Sequence, residues 1–151
     1  MKKIFVIIAI ALLTSLVLLG VACSSGSKPT VENPIPGKVI KSGPIGDKLM
    51  VTLSNDTGKL KSGEQEIMLT FTDPSGKAVD VGMVSAAALT FHMPSMGSMA
   101  PMNNTAAFTT TSVPGVYKGK VNIDMAGEWQ AQISYEGSAG SGKTMIPVSA
   151  Q

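Results

Sequence analysis

Four methionines and a histidine crowd into one short stretch of the chain. The sequence FHMPSMGSMAPMNN holds Met93, Met96, Met99 and Met102 at intervals of three residues, directly after His92. Thioether sulfur and imidazole nitrogen are soft or borderline ligands, and together they favour Cu(I). The stretch has no carboxylate for calcium or magnesium, and one His and one Cys in the whole chain are too few for a zinc site. If the stretch binds a metal, its residue types therefore predict Cu(I), with Ag(I) as a mimic.

The spacing of these methionines constrains how they could share an ion. Pro94 and Pro101 favour a polyproline II backbone, in which residues three apart share a face but lie about 9 Å apart. Two sulfurs bound to one ion must lie much closer, so the chain has to turn. Gly97 and Ser98 are the residues where it can do so. The fold-back is expected to bring the methionines before the turn towards those after it, with His92 entering from the end of a strand.

Packing and protein docking are the alternative explanations for the same residues. Alternation in LTFHM places Phe91 and Met93 on one face of a strand and His92 on the other, which predicts Met93 in the core and His92 towards solvent or the loop. Methionines in a Gly/Pro/Ser loop without other apolar bulk differ from ordinary core residues, because an exposed apolar cluster normally indicates a partner or a ligand. Composition alone leaves a metal site and an adaptable docking surface both open.

The segments around the loop have the pattern of an all-β domain. Apolar and polar residues alternate in stretches rich in Val, Thr and Phe, separated by Gly/Pro turns such as DPSGKAV. The expected strands are KLMVTLSN, QEIMLTFTD, ALTFHM, AAFTTTS, GVYKGKVNI, GEWQAQISY and GKTMIPVS. The one helix candidate is the short segment VGMVSAAAL. About seven short strands predict an immunoglobulin-like antiparallel β-sandwich.

Bulky apolar residues of the expected strands indicate its core. Trp129, Ile133 and Tyr135 are the predicted anchors, because they share one face of a strand. A small domain with few aromatic residues needs flexible side chains to fill gaps. The sequence therefore predicts three methionines outside the loop as core residues, namely Met50, Met68 and Met145.

The N-terminus has the layout of a secretory signal peptide. Two lysines precede an apolar run over residues 4–21, and small residues follow up to Cys23. Cys23, preceded by Val21 and Ala22, resembles the lipobox of bacterial lipoproteins, in which cleavage precedes a cysteine that is then lipidated. The alternative is ordinary secretory cleavage, which gives a soluble secreted protein. The expected organisation is a signal peptide at 1–22, a lipidated cysteine and flexible linker at 23–36, and one β-sandwich domain at 37–151.

Charge and residue types exclude two classes of function. The predicted signal peptide holds two of the 12 lysines, so 10 lysines face 10 carboxylates in the rest of the chain, which has no arginine. A neutral domain without arginine gives no support to nucleic-acid binding. One His, no free Cys after lipidation, and scattered acids such as Asp73, Asp80 and Asp124 provide no nucleophile with a base, so no enzymatic activity is expected.

Longer segments resemble a known family. FHMPSMGSM and, about twenty residues on, VPGVYKGKVNIDMAGEWQAQISY resemble the bacterial YtkA-like domain, which is related to FixH, and SGEQEIMLTFTDPSGKAVDVGMVS resembles its early strand pair. The resemblance covers about residues 58–148. It implies an immunoglobulin-like extracytoplasmic domain associated with copper handling and respiratory oxidase maturation. The metal ligands that it implies are His92, Met93, Met96, Met99 and Met125, the last in the turn of IDMAGEW.

The expected function is that of a lipid-anchored extracytoplasmic protein that binds Cu(I) as a chaperone or scavenger. Methionine ligands suit an oxidising exterior, where thiolates would be lost to disulfides. The expected partners are the membrane, through the lipid anchor, and a membrane protein that receives or exports copper. The alternative function is a metal-free module that docks a partner protein through its exposed methionines.

Overall fold

The computed structural model describes residues 34–82 and 89–151, which form an all-β domain. Its strands are β1 (Lys38–Ile45), β2 (Leu49–Asn55), β3 (Gly63–Thr72), β4 (Leu89–Met93), β5 (Met102–Thr110), β6 (Val116–Ile123), β7 (Gly127–Gly137) and β8 (Gly140–Ala150). No helix within these ranges is long and apolar enough to cross a membrane. The predicted signal peptide, Cys23 and most of the candidate helix VGMVSAAAL lie outside the described residues.

One strand joins the two halves of the sheet. The strand order is β1-β2-β3-β6-β5-β4-β7-β8, and every pair of neighbours is antiparallel. Residues 102–106 of β5 pair with β4, whereas residues 107–110 pair with β6. Because β5 changes partner at its middle, the sheet folds into two facing layers. Its two end strands, β1 and β8, also contact each other. Leu60, in the segment between β2 and β3, forms a parallel bridge with Ala150 at the end of β8. The predicted antiparallel sandwich is confirmed.

The facing layers enclose one apolar core. Trp129, Ile133 and Tyr135 are buried, as predicted from their shared face. The ring of Phe71 contacts Tyr135 edge-on, with ring centroids 5.5 Å apart, and contacts Tyr117 edge-on at 5.9 Å. Edge-to-face contacts of this kind add to the free energy gained from burying the rings.

Two of the methionines predicted for the core lie on the surface instead. Met50 is 38% exposed and Met145 is 56% exposed, so the prediction for these two residues is wrong. Each sits on the side of its strand that faces away from the other layer, next to a buried residue on the inner side, Val51 or Ile146. Met68 is half-buried.

The structure also has one strand more than the sequence predicted. β1 is the additional strand, and it forms one end of the strand order through its pairing with β2. The chain enters it after Pro36, whose carbonyl accepts a hydrogen bond of 2.6 Å from the Ser54 hydroxyl. Pro34 and Pro36 lie beside Val113 and Val116, at the turn between β5 and β6.

Tyr117 ties the segment after β3 to the core. Its hydroxyl lies 2.5 Å from the carbonyl oxygen of Gly82 and 2.9 Å from Oδ1 of Asp80, and donates to these acceptors. Burial of the ring, then the hydrogen bond and the negative charge of Asp80, raise the pKa of Tyr117 to about 12. The neutral hydroxyl is therefore the form that the folded protein stabilises.

Replacing Tyr117 with Phe removes this tie and keeps the ring packing. We expect the Tyr117→Phe variant to lose about 1–2 kcal/mol of the free energy of unfolding near neutral pH. Because the pKa is raised on folding, the hydroxyl's contribution is complete below pH 10 and is lost as the pH rises towards about 12. Urea unfolding at several pH values measures both effects. The control is Tyr135→Phe, since the Tyr135 hydroxyl has no hydrogen bond to the described residues. Equal losses in the two variants would contradict the assigned role.

Candidate metal site

A tight turn closes the hairpin formed by β4 and β5. The backbone N–H of Met99 donates to the carbonyl of Met96 at 3.0 Å, and these two residues form a bridge. Gly97 has a φ of +58°, and no residue other than glycine has a positive φ in the described ranges. Positive φ only at the first central residue identifies a two-residue type II′ turn, which requires glycine there. The predicted turn at Gly97 and Ser98 is confirmed.

The register of the hairpin is constant from its base to its tip. Met93 pairs with Met102, and three positions further along each strand the partners are Met96 and Met99. Pro94 and Pro101 lie between these two pairs and face each other in this register. The ladder is interrupted there because proline has no N–H to donate.

The constant register divides the methionines between two faces. Successive side chains of a strand point to opposite faces. Met93 is 1% exposed and belongs to the core, whereas Met96 and Met99, on the opposite face, are 52% and 42% exposed. The predicted burial of Phe91 and Met93 is confirmed.

Met93 fills a narrow space under the end of the hairpin. A Cβ built at Gly127 would lie 2.9 Å from the terminal Cε of Met93, so this thioether packs directly against the start of β7. Its cross-strand partner Met102 is partly buried and packs against the same core. Both thioethers therefore have apolar neighbours and pack in or against the core. The alternation in the sequence predicted this for Met93.

Met125 is the predicted ligand that the family resemblance adds. It lies at the same end of the domain as Met93. It occupies the turn between β6 and β7, is partly buried and packs against the core. Its carbonyl accepts a hydrogen bond of 3.1 Å from Nε1 of the buried Trp129. Gly127, two residues further on, contacts Met93. Met125 is thus near the inner methionines of the hairpin.

His92 lies on the outer face but away from the tip. Its Nδ1 is 2.8 Å from Oδ1 of Asn103, its cross-strand partner. An amide oxygen only accepts hydrogen bonds, so Nδ1–H is the donor of this bond. Met96 lies four positions after His92, which along extended backbone corresponds to about 13 Å between their Cα atoms. The structure does not bring His92 together with the outer methionines.

The five predicted ligands therefore occupy three places. Met93 and Met125 are at the end of the core, His92 is on the outer face of the sheet, and Met96 and Met99 form an exposed pair at the tip, called here the tip pair. Asn103, which orients His92, was missed by sequence reasoning. The signal was present, because a two-residue turn at Gly97 and Ser98 pairs position 92 with position 103.

The tip pair is the arrangement best suited to hold an ion. Directly opposite residues of an antiparallel pair have Cβ atoms about 5 Å apart on one face. Methionine adds three rotatable bonds, so both sulfurs can contact one ion between them. No group of three or more His, Cys, Asp or Glu side chains with metal-site geometry occurs in the described parts of the chain. Two neutral thioethers favour a soft, singly charged ion.

Truncation separates the packing role of Met93 from the surface position of Met96. We expect Met93→Ala to lower the free energy of unfolding by about 2–5 kcal/mol, because it leaves a cavity in the core. Met96→Ala is expected to change it by no more than about 0.5 kcal/mol, as is usual for exposed positions. Denaturant unfolding without metal measures both values. Similar losses for the two variants would show that Met96 is packed in solution.

A protein-family model matches more than half of the chain. Residues 46–134 match the model of the family described as YtkA-like. Comparison with curated proteins and with solved structures gives no match. The matched residues extend from the turn before β2 into β7 and include the whole β4–β5 hairpin and the β6–β7 turn. They therefore contain all five predicted ligands.

Proposed function

The chain belongs to the YtkA-like family, and from this premise we propose that it is an extracytoplasmic Cu(I)-binding protein that acts as a chaperone or scavenger. The observation that carries the proposal is the tip pair. A type II′ turn places Met96 and Met99 opposite each other on one face, and both side chains are exposed. Two soft donors on directly opposite residues, without a packing role, form a minimal site for a soft ion.

The tip pair lies far from the start of the described chain. The described chain begins at Pro34, beside Ser112 and Val113 at the turn between β5 and β6. The tip pair lies beyond the opposite end of β5. Pro34 and the tip pair therefore lie at opposite ends of the domain.

The alternative function is a protein-docking module without metal. It is favoured by one specific observation, the absence of Asp, Glu, Lys and Arg from residues 81–117. Depletion of charge is typical of the central part of a protein interface. Leucine separates the two functions, because it keeps apolar bulk but has no sulfur to donate.

Titration with Cu(I) tests the copper proposal. Anaerobic titration of the chain against a competing chromophoric chelator should show Cu(I) binding. We expect the double variant Met96→Leu, Met99→Leu to bind at least about tenfold more weakly, equivalent to about 1.4 kcal/mol. The matched control is Met145→Leu, which alters an equally exposed methionine on β8 and should bind as the parent does. Unchanged affinity in the double variant would remove the tip pair from the copper site and favour docking.

A second variant tests whether the turn itself matters. Gly97→Ala keeps both thioethers but places a Cβ on a residue with a φ of +58° in a turn that requires glycine. We expect weaker Cu(I) binding, because the two sulfurs are no longer held opposite each other. The control is Gly76→Ala, which introduces the same strain at a φ of +84° in a distant turn, also with no atom within 4 Å of the new Cβ. Equal Cu(I) affinity for parent and Gly97→Ala would mean that the hairpin geometry is not required.

A further inference from the structure

The tip pair supplies only part of the coordination that Cu(I) accepts. Two thioethers are available from one hairpin, whereas Cu(I) binds up to about four soft ligands. The next donor on the same face is His92, about 13 Å away along the strand and oriented by Asn103. Met93, on the other face, is buried in the core. An ion held by the tip pair therefore keeps one side open towards solvent.

The hairpin tip around this open side is suited to contact the hairpin tip of a second copy. Residues 94–101 are all exposed, and no atom lies within 4 Å of a Cβ built at Gly97. The tip thus extends beyond the packed part of the domain. No charged residue occurs in residues 81–117, so two such tips can approach without repulsion between like charges.

The other outer surface of the domain lacks these properties. On β3 and β6, Glu66 pairs with Lys118 at 2.8 Å and Glu64 faces Lys120 at 3.9 Å. These exposed ion pairs keep that surface hydrated and contribute little to association. The neutral hairpin tip is therefore the better candidate for contact between copies.

We infer that Cu(I) joins two copies of this chain through their hairpin tips, with Met96 and Met99 of each copy as ligands. This inference rests on the proposed function. A two-fold axis through the ion makes the two tips equivalent, as in most homodimers, and provides four thioether ligands. Each copy is incomplete alone, and a second copy brings the same two donors in the same geometry.

The dimer is expected to depend on the metal. Contact between two short hairpin tips buries far less than the roughly 1,000 Å² that a stable protein interface needs. Association without Cu(I) should therefore be weak. With Cu(I), the ion holds together surfaces that would otherwise separate.

Native mass spectrometry of the full chain, released from detergent after anaerobic addition of half an equivalent of Cu(I), tests the inference. We expect a species of two chains of 15.6 kDa, apart from processing and lipidation, with one copper ion, and a monomer without copper. The double variant Met96→Leu, Met99→Leu should lose the dimer, and Met145→Leu should keep it. X-ray absorption of the copper-loaded parent should count four sulfur neighbours.

Other outcomes overturn the inference in distinguishable ways. One copper ion on a single chain, lost in the double variant, would contradict the dimer and leave the proposed function standing. A dimer that forms equally with and without Cu(I), or that persists in the double variant, would show that the copies associate elsewhere. The absence of bound copper from every species would contradict the proposed function together with this inference.

Discussion

The antiparallel register of the β4–β5 hairpin is the constraint on which the site depends. Because side chains alternate between faces, a shift of one residue would turn Met93 to the outer face and Met96 to the opposite one. Two features hold the register. Met93 packs against Gly127 inside the core. Gly97 permits a two-residue type II′ turn, whose backbone twist matches that of the two strands. The core thus determines which thioethers remain available at the surface, and the turn determines how close together they are.

Much of the fold could be predicted because one face of most strands is buried. Alternation located seven of the eight strands and the buried side of β7, including Trp129. β1 was missed because Gly43 and Pro44 interrupt its pattern, and proline is tolerated only where a strand has an edge position. Met50 and Met145 were misplaced because hydrophobicity alone does not tell which side of a strand is covered by the second layer. That side is decided by the change of partner in the middle of β5, which no local pattern reports.

The residues of the candidate site could be predicted from the sequence, but most of their spatial arrangement could not. Gly97 and Ser98 were recognisable as the turn, and family resemblance added Met125. The sequence analysis treated the methionine stretch as a loop, and residue spacing in a loop does not predict the separation of His92 from the tip pair. That separation arises because β4 and β5 continue into a regular hairpin. In a regular ladder, the four positions from His92 to Met96 correspond to about 13 Å, whereas in an irregular loop the same two residues could have come into contact.

The proposed copper site has the properties of one that releases its metal. A buried, fully coordinated ion must lose a ligand before a recipient can bind it, which slows transfer. An ion on the tip pair of a single copy, without the second copy inferred above, can accept a donor from another molecule before either thioether leaves. Neutral thioethers also hold the ion without the charge pairing that carboxylates or thiolates would supply. Because Met96 and Met99 are exposed, such a site would be accessible to a partner, and this favours delivery over storage as the role of the proposed copper binding.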